Sequence, residues 1–202
     1  MKKILLLSIV LCGLSVGMVW AAETSPTVAL KPVLGDLMAV LGDQKLKGDE
    51  HKVERREKIM SLIKRGFDFR EMSQRVLGPT WRQIDDKEKD NFTTLMTKLL
   101  ENVYIGKLEG YSGQTIEFVG EIVKEDRAQV TTLIQNGNAK IPVYYIMKKT
   151  DSGWMVYDIN IEGVSLVRNY QEQFKSILRT QKYEGLVKVL QEKNRSFLVG
   201  AR

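Results

Sequence analysis

The chain has 202 residues, 43% of them hydrophobic and 28% charged, with 31 Lys+Arg against 25 Asp+Glu for a formal net charge of +6. Apolar residues are too plentiful for a disordered chain, and 16 Gly with 4 Pro exclude collagen-like or low-complexity sequence. The length suits one domain with a sizeable core and leaves room for a small helical subdomain.

The first element is an address. Met1-Lys2-Lys3 is a short positive segment, residues 4–20 are apolar, and Val19-Trp20-Ala21 fits a small-x-Ala cleavage pattern. This reads as a secretory signal peptide over residues 1–22, cut after Ala21 or Ala22, and predicts an exported protein. The alternatives are an uncleaved anchor, for which the run is slightly short, and acylation at Cys12, after which residues 13–20 stay apolar. Losing Lys2 and Lys3 leaves 29 basic residues against 25 acidic ones, a mild excess of +4. That balance suits anionic surfaces or acidic partners weakly, and an exported location argues against nucleic acid. Cys12 is the only cysteine and goes with the leader, so no disulfide framework is available.

Residues 23–202 then read as one domain. Val33, Leu34, Leu37, Met38 and Leu41 recur at helical spacing and Gly42 ends that helix. A polar loop carries His51, the only histidine; with no second imidazole there is no multi-His metal site, and a Ser-His-Asp triad would have to use it. A second amphipathic helix spans 53–65, stopped by Gly66. Asp68 and Glu71 form a predicted capping box for a short helix over 70–77. Asp85 and Glu88 form another, ahead of the wide stripe Phe92, Leu95, Met96, Leu99, Leu100, Val103, Tyr104 and Leu108. The helical part thus covers about 28–110.

Strand texture follows over about 114–161, with Asn136-Gly137-Asn138 as a hairpin signal and Asp151-Ser152-Gly153 as a turn. Two helices close the chain within about 164–193. Helices, then consecutive strands, then helices predict an α+β fold: a curved four-stranded antiparallel sheet wrapped by helices. Such a cone has an apolar interior that is either filled by side chains or holds a ligand.

The ordered set Phe67-Asp68-Phe69-Arg70-Glu71-Met72-Ser73, Val76-Leu77-Gly78-Pro79-Thr80-Trp81-Arg82, the helix over 92–104, Tyr111-Ser112-Gly113, the run from Gly153 to Phe174, and Gly185-Leu186-Val187 with Leu190 resembles the MlaC-type toluene-tolerance family. These are the periplasmic phospholipid-binding components of the Mla ABC transport system. The likeness covers the whole mature chain. It departs at Gln171-Glu172-Gln173-Phe174, where the family's pattern has an Arg before the Gln-Phe pair. The resemblance implies an NTF2-like variant fold with an acyl-chain cavity and no catalysis. It also implies a bound phospholipid as cargo rather than a cofactor, and no metal. The implied partners are an inner-membrane MCE-domain ABC complex and an outer-membrane lipoprotein complex.

Candidate cavity residues are Leu95, Met96, Leu99, Val103, Tyr104, Tyr145, Met147, Trp154, Val156, Val164, Leu166 and Val167, each of which ordinary core packing would also explain. Phe67, Phe69 and Met72 are candidates for a mouth or gate. The competing reading is an NTF2-like enzyme acting on a hydrophobic small molecule, with Asp158 as general base beside Glu162. It requires Asp158 to share a strand face with Trp154 and Val156, which holds only if the strand is regular; the simpler expectation is that Asp158 bonds the turn near Gly163. Lys64-Arg65 and Lys148-Lys149 are expected to be solvated faces.

Overall fold

The computed structural model describes residues 25–110 and 113–200; the expected signal peptide with Cys12, and Tyr111 and Ser112, lie outside the described residues. Helix α1 (Pro26–Gly42) begins where the Val28 N–H donates to the Ser25 hydroxyl at 3.2 Å and Pro26 presets the first turn. Pro32 lies inside it, and both Pro32 and Val28 are exposed, so water can reach the carbonyl that Pro32 leaves free. The expected stripe is buried, joined by Leu30, with Met38 at its half-buried margin.

Helix α2 (Lys52–Gly66) packs on α1. Gly66 ends it for a reason the sequence does not show: a Cβ there would come within 2.9 Å of Val33 Cγ1. Helix α3 (Phe69–Leu77) has Asp68 as its N-cap, accepting from the Glu71 N–H at 2.8 Å. The predicted box is only half made, because the Glu71 carboxylate turns to Arg75 at 2.6 Å and Lys148 at 3.1 Å. Helix α4 (Asp86–Glu109) has the full capping box, with Asp85 and Glu88 exchanging hydrogen bonds of 2.8 and 2.9 Å.

The sheet is antiparallel in the order β1 (Thr115–Lys124), β2 (Arg127–Asn136), β3 (Ala139–Thr150), β4 (Gly153–Ile161) and β5 (Val164–Ser165). It has five strands, not four. The fifth is two residues long, too short for a period-2 pattern, and folds back on β4 through Glu162 and Gly163, both at positive φ. Gly137 turns the β2–β3 hairpin at φ +59°. Helix α5 (Leu166–Gly200) breaks at Lys182, where φ is 60°, so the two expected closing helices are there.

Two bulges decide which side chains face inward. In β1 the register slips at Val119, which brings Glu121 to the inner face, where it accepts from the Thr27 N–H at 2.8 Å and fixes the start of α1. In β4 the register slips so that Ile146 pairs with Asp158 and Met147 with Val156, leaving Tyr157 unpaired. Trp154 and Val156 point inward before the slip; Ile159 and Ile161 do so after it. Asp158 is thereby turned to the opposite face. There its Oδ1 accepts from the Val167 N–H at 3.0 Å and its Oδ2 from the Ser165 hydroxyl at 2.6 Å, capping α5. Tyr157 lies under the Arg75 guanidinium, 4.0 Å from ring centroid to Cζ.

Three apolar clusters result. Residues of α3, α4 and α5 form a helical core around Phe92, Met96, Leu99, Phe174 and Leu186. The inner sheet face packs Val130, Val143, Met147 and Val156 against Leu30 and Leu34 of α1. A third, small cluster joins Leu37 and Leu41 to Ile59 and Ile105.

Asp158→Ala removes a side-chain cap and leaves the Ser165 hydroxyl without its acceptor. We expect a loss of about 1–2 kcal/mol in urea unfolding, with Asp158→Asn losing less.

Candidate functional site

The three clusters do not fuse, and an apolar hollow of about 390 Å³ lies where they meet. Helix α2 contributes Met60 and Ile63, and α4 contributes Leu100, Tyr104, Ile105 and Leu108. Beyond the β4 bulge come Ile159 and Ile161, and the start of α5 adds Leu166. Phe67, Phe69 and Met72 close one end. Among the described residues its only charged lining groups are Glu101 and Lys107.

Both charges are managed at the wall. Burial pushes the Glu101 carboxyl up, but hydrogen bonds from Arg56 and Lys98 outweigh it and hold the group below its ordinary 4.5. Arg56 also donates to Asn102 Oδ1 at 2.6 Å, and Asn102 donates to Asn194 Oδ1 at 3.1 Å. Asn194 donates in turn to the Leu95 carbonyl at 3.0 Å. This polar chain ties α2 to α4 and α4 to α5 beside the hollow. Lys107 extends over the Tyr104 ring, 5.3 Å from its centroid. Burial raises the Tyr104 phenol, partly offset by its hydrogen bond with Tyr170.

A polar groove adjoins the hollow and shares Phe67, Phe69 and Glu101 with it. Its other walls are Lys64, Asp68, Thr93, Thr94, Thr97, Lys98 and Met155. The Phe67 and Phe69 rings, stacked with centroids 6.2 Å apart, stand between the apolar and the polar space. Phe67 is fixed there by a parallel bridge to Val156, with the Asp68 N–H donating to the Val156 carbonyl at 2.8 Å.

The residues named from the sequence divide among four places. Tyr104 and Leu166 line the hollow, as do Phe67, Phe69 and Met72. Leu95, Met96, Leu99, Val103 and Val167 belong to the helical core instead. Met147, Trp154 and Val156 are in the sheet core under α1, and Tyr145 lines a second, smaller hollow there. Val164 is 56% exposed on the short β5. One helical stripe on α4 feeds both core and hollow, and spacing alone does not separate the two. Met60, Ile63, Leu100, Ile105, Leu108, Ile159 and Ile161 were missed; of these only Leu100 and Leu108 lie on the α4 stripe that the sequence shows, and the bulge that delivers Ile159 and Ile161 has no sequence signal.

Lys64, Arg65 and Lys149 are exposed as expected, with Arg65 pairing with Asp36 at 2.5 Å on the surface, whereas Lys148 is half-buried and bonds Glu71 at 3.1 Å. Asp158 does not line the hollow, and Glu162 sits in the exposed β4–β5 turn, so the pair has no shared site. Among the described residues no group of three His, Cys, Asp or Glu side chains is placed to hold a metal. No described helix is long and apolar enough to cross a membrane.

Residues 31–192 match the family described as MlaC protein. The intermembrane phospholipid transport system binding protein MlaC of Haemophilus influenzae is 24% identical over 202 aligned positions, covering 95% of this chain and 92% of that protein. The phospholipid-binding protein of Ralstonia solanacearum, solved in complex with a phospholipid, superposes with a TM-score of 0.75 at 24% identity over 88% of this chain and 99% of that one. That likeness establishes a shared fold.

The charge arrangement at Glu101 has a pH signature. A carboxyl held below its ordinary value stabilises the fold fully above about pH 4.5, and this contribution falls as pH drops through the lower folded value. In urea titrations across that range, Glu101→Gln should lose less stability on acidification than the wild type does.

Proposed function

This chain belongs to the MlaC protein family, and we propose that it is a phospholipid carrier working between membranes. The observation that carries the reading is the apolar hollow bordered by a polar groove at Phe67 and Phe69. A phospholipid has about 30 acyl methylenes, and at ~0.8 kcal/mol each their exposure to water costs roughly 24 kcal/mol. A carrier must therefore enclose the chains, while the charged headgroup is costly to bury and stays wet. The lining supplies the first environment and the groove the second. The related proteins named for phospholipid binding and intermembrane transport support the same assignment.

Tyr104, Leu166, Met60, Ile63, Leu100, Ile105, Leu108, Ile159 and Ile161 are the residues we assign to the acyl chains, with Phe67, Phe69 and Met72 at the mouth. The mixed wall includes two methionines, whose unbranched side chains adapt to chains of differing shape. The NTF2-like character of the sheet-and-helix cone belongs to the same proposal, as do export by the signal peptide and residence in the periplasm. Its exchange partners would be an inner-membrane MCE-domain ABC complex and an outer-membrane lipoprotein complex. The enzyme reading is the less favoured one, because both Asp158 oxygens are engaged by Ser165 and Val167 away from the hollow.

Native mass spectrometry of the mature protein followed by organic extraction tests the assignment. A mass increment matching phospholipid, lost on delipidation, is expected; purified protein that neither carries nor takes up phospholipid would sink it. Ile159→Trp and Leu166→Trp should fill the hollow and sharply lower lipid per folded molecule. Leu99→Trp, in the helical core, should instead cost about 1–3 kcal/mol of stability with lipid per folded molecule unchanged.

A further inference from the structure

One edge of the sheet is uncovered. Strand β1 pairs with β2 on one side and with no strand among the described residues on the other. Over residues 119–124 every position is exposed, including Val119 at 46%, Ile122 at 68% and Val123 at 49%. Val28, 60% exposed, lies on the first turn of α1, which Glu121 holds beside this strand through the Thr27 N–H. Single exposed apolar side chains are ordinary, but several together on an unpaired strand edge form a template for a further strand.

The residues of the edge say which strand it fits. The bulge at Val119 reverses the alternation, so Glu117, Gly120, Ile122 and Lys124 share the outer sheet face, while Phe118, Glu121 and Val123 share the inner one. Laid antiparallel on a second copy about a two-fold axis at Glu121, β1 meets itself with matched faces. Glu117 then stands opposite Lys124, Phe118 opposite Val123, and Ile122 opposite Gly120. The symmetry makes the Glu117–Lys124 pair twice, once at each end. No atom lies within 4 Å of where a Cβ on Gly120 would stand, which leaves room for Ile122 of the second copy. The ion pair Glu117 makes within its own chain, with Lys140 at 3.7 Å, is solvent-exposed and weak. On the axis each Glu121 carboxylate is engaged by its own α1, whose positive end offsets the charge.

We propose that β1 is a self-association edge: two copies of this chain pair antiparallel along residues 117–124 and join their sheets into one. The apolar outer side chains Val119 and Ile122 of both copies form its centre, and the Glu117–Lys124 pairs close its ends. The Phe67–Phe69 mouth lies elsewhere, since Phe67 bridges Val156 on β4, three strands across the sheet. Pairing through β1 leaves both mouths free and holds whether or not the hollow carries lipid. One strand edge and a helix turn make a small interface, of the class under about 1,200 Å² in which association is weak and reversible.

Sedimentation velocity of the full-length mature protein tests this over about 1–500 µM, the range that so small an interface calls for. A reversible monomer–dimer equilibrium is expected. Ile122→Lys should weaken it at least about tenfold, because it withdraws two isoleucines from the interface. Glu117→Lys and Lys124→Glu should each weaken it about fivefold or more by setting like charges opposite one another, and combining them should restore it to within about threefold of wild type. All three positions are exposed, and circular dichroism melting checks that each variant is folded. Wild type that stays monomeric throughout overturns the proposal. So does a dimer that Ile122→Lys leaves intact, or one that the combined charge swap fails to restore. A monomer that instead floats with phosphatidylglycerol vesicles, and ceases to in Ile122→Lys, would give the edge to a membrane surface and overturn self-pairing.

Discussion

Three apolar clusters approach one another without merging, and the rest of the structure is arranged around the space they leave. Apolar lining that faces neither side chain nor ligand forfeits its dispersion partners, at about 24 cal/mol per Å³. Over about 390 Å³ that is on the order of 9 kcal/mol in favour of collapse. The contacts that resist it are polar and peripheral. Arg56 and Lys98 meet at Glu101, Asn102 meets Asn194, and Glu71 joins Arg75 to Lys148. These links span α2 to α4, α4 to α5, and α3 to β3. They hold elements at a separation that hydrophobic burial, being non-directional, would not choose. A carrier that must be hollow when loaded needs its spacing set by directional bonds.

The same links solve an electrostatic problem. A bare carboxylate beside an acyl chain would be costly to desolvate. Glu101 is neighboured by two cations, so its charge is compensated within the wall. Lys107 lies over the electron-rich face of Tyr104. The apolar interior is thus kept free of uncompensated charge, while Lys64, Lys98, Asp68 and the threonines of α4 collect in the adjoining groove. Polar and apolar surfaces are sorted across a boundary one aromatic pair wide.

Much of this was legible from the residues, and the limits are physical. The α4 capping box, the α1 stripe and the glycine turn at Gly137 are local signals and appear where the sequence puts them. Glu71 looked like a capping residue because local spacing cannot anticipate Lys148, which lies 77 positions away. The α4 stripe was right as a stripe, yet Leu99 and Leu100 part company: Leu100 reaches the hollow and Leu99 does not. Amphipathic period specifies which residues avoid water; it carries no information on whether side chains or a lipid replace it. The resemblance to a lipid-binding family supplied that distinction at the level of the fold and not of the residue.

Strand β4 concentrates what periodicity could not deliver. Up to Val156 its inward side chains build the sheet core, and the Val156 carbonyl also receives the Asp68 N–H, which fixes the Phe67–Phe69 mouth. One residue later the bulge at Tyr157 inverts the alternation. Regular pairing would have turned Asp158 inward and Ile159 outward. It would have placed a carboxylate in the hollow and left α5 without its cap. The extra residue reverses both outcomes together: Asp158 reaches Ser165 and Val167, and Ile159 and Ile161 complete the apolar wall. Lining and helix start are therefore set from one strand, and a single unpaired residue decides whether a carboxylate or an apolar side chain faces the hollow.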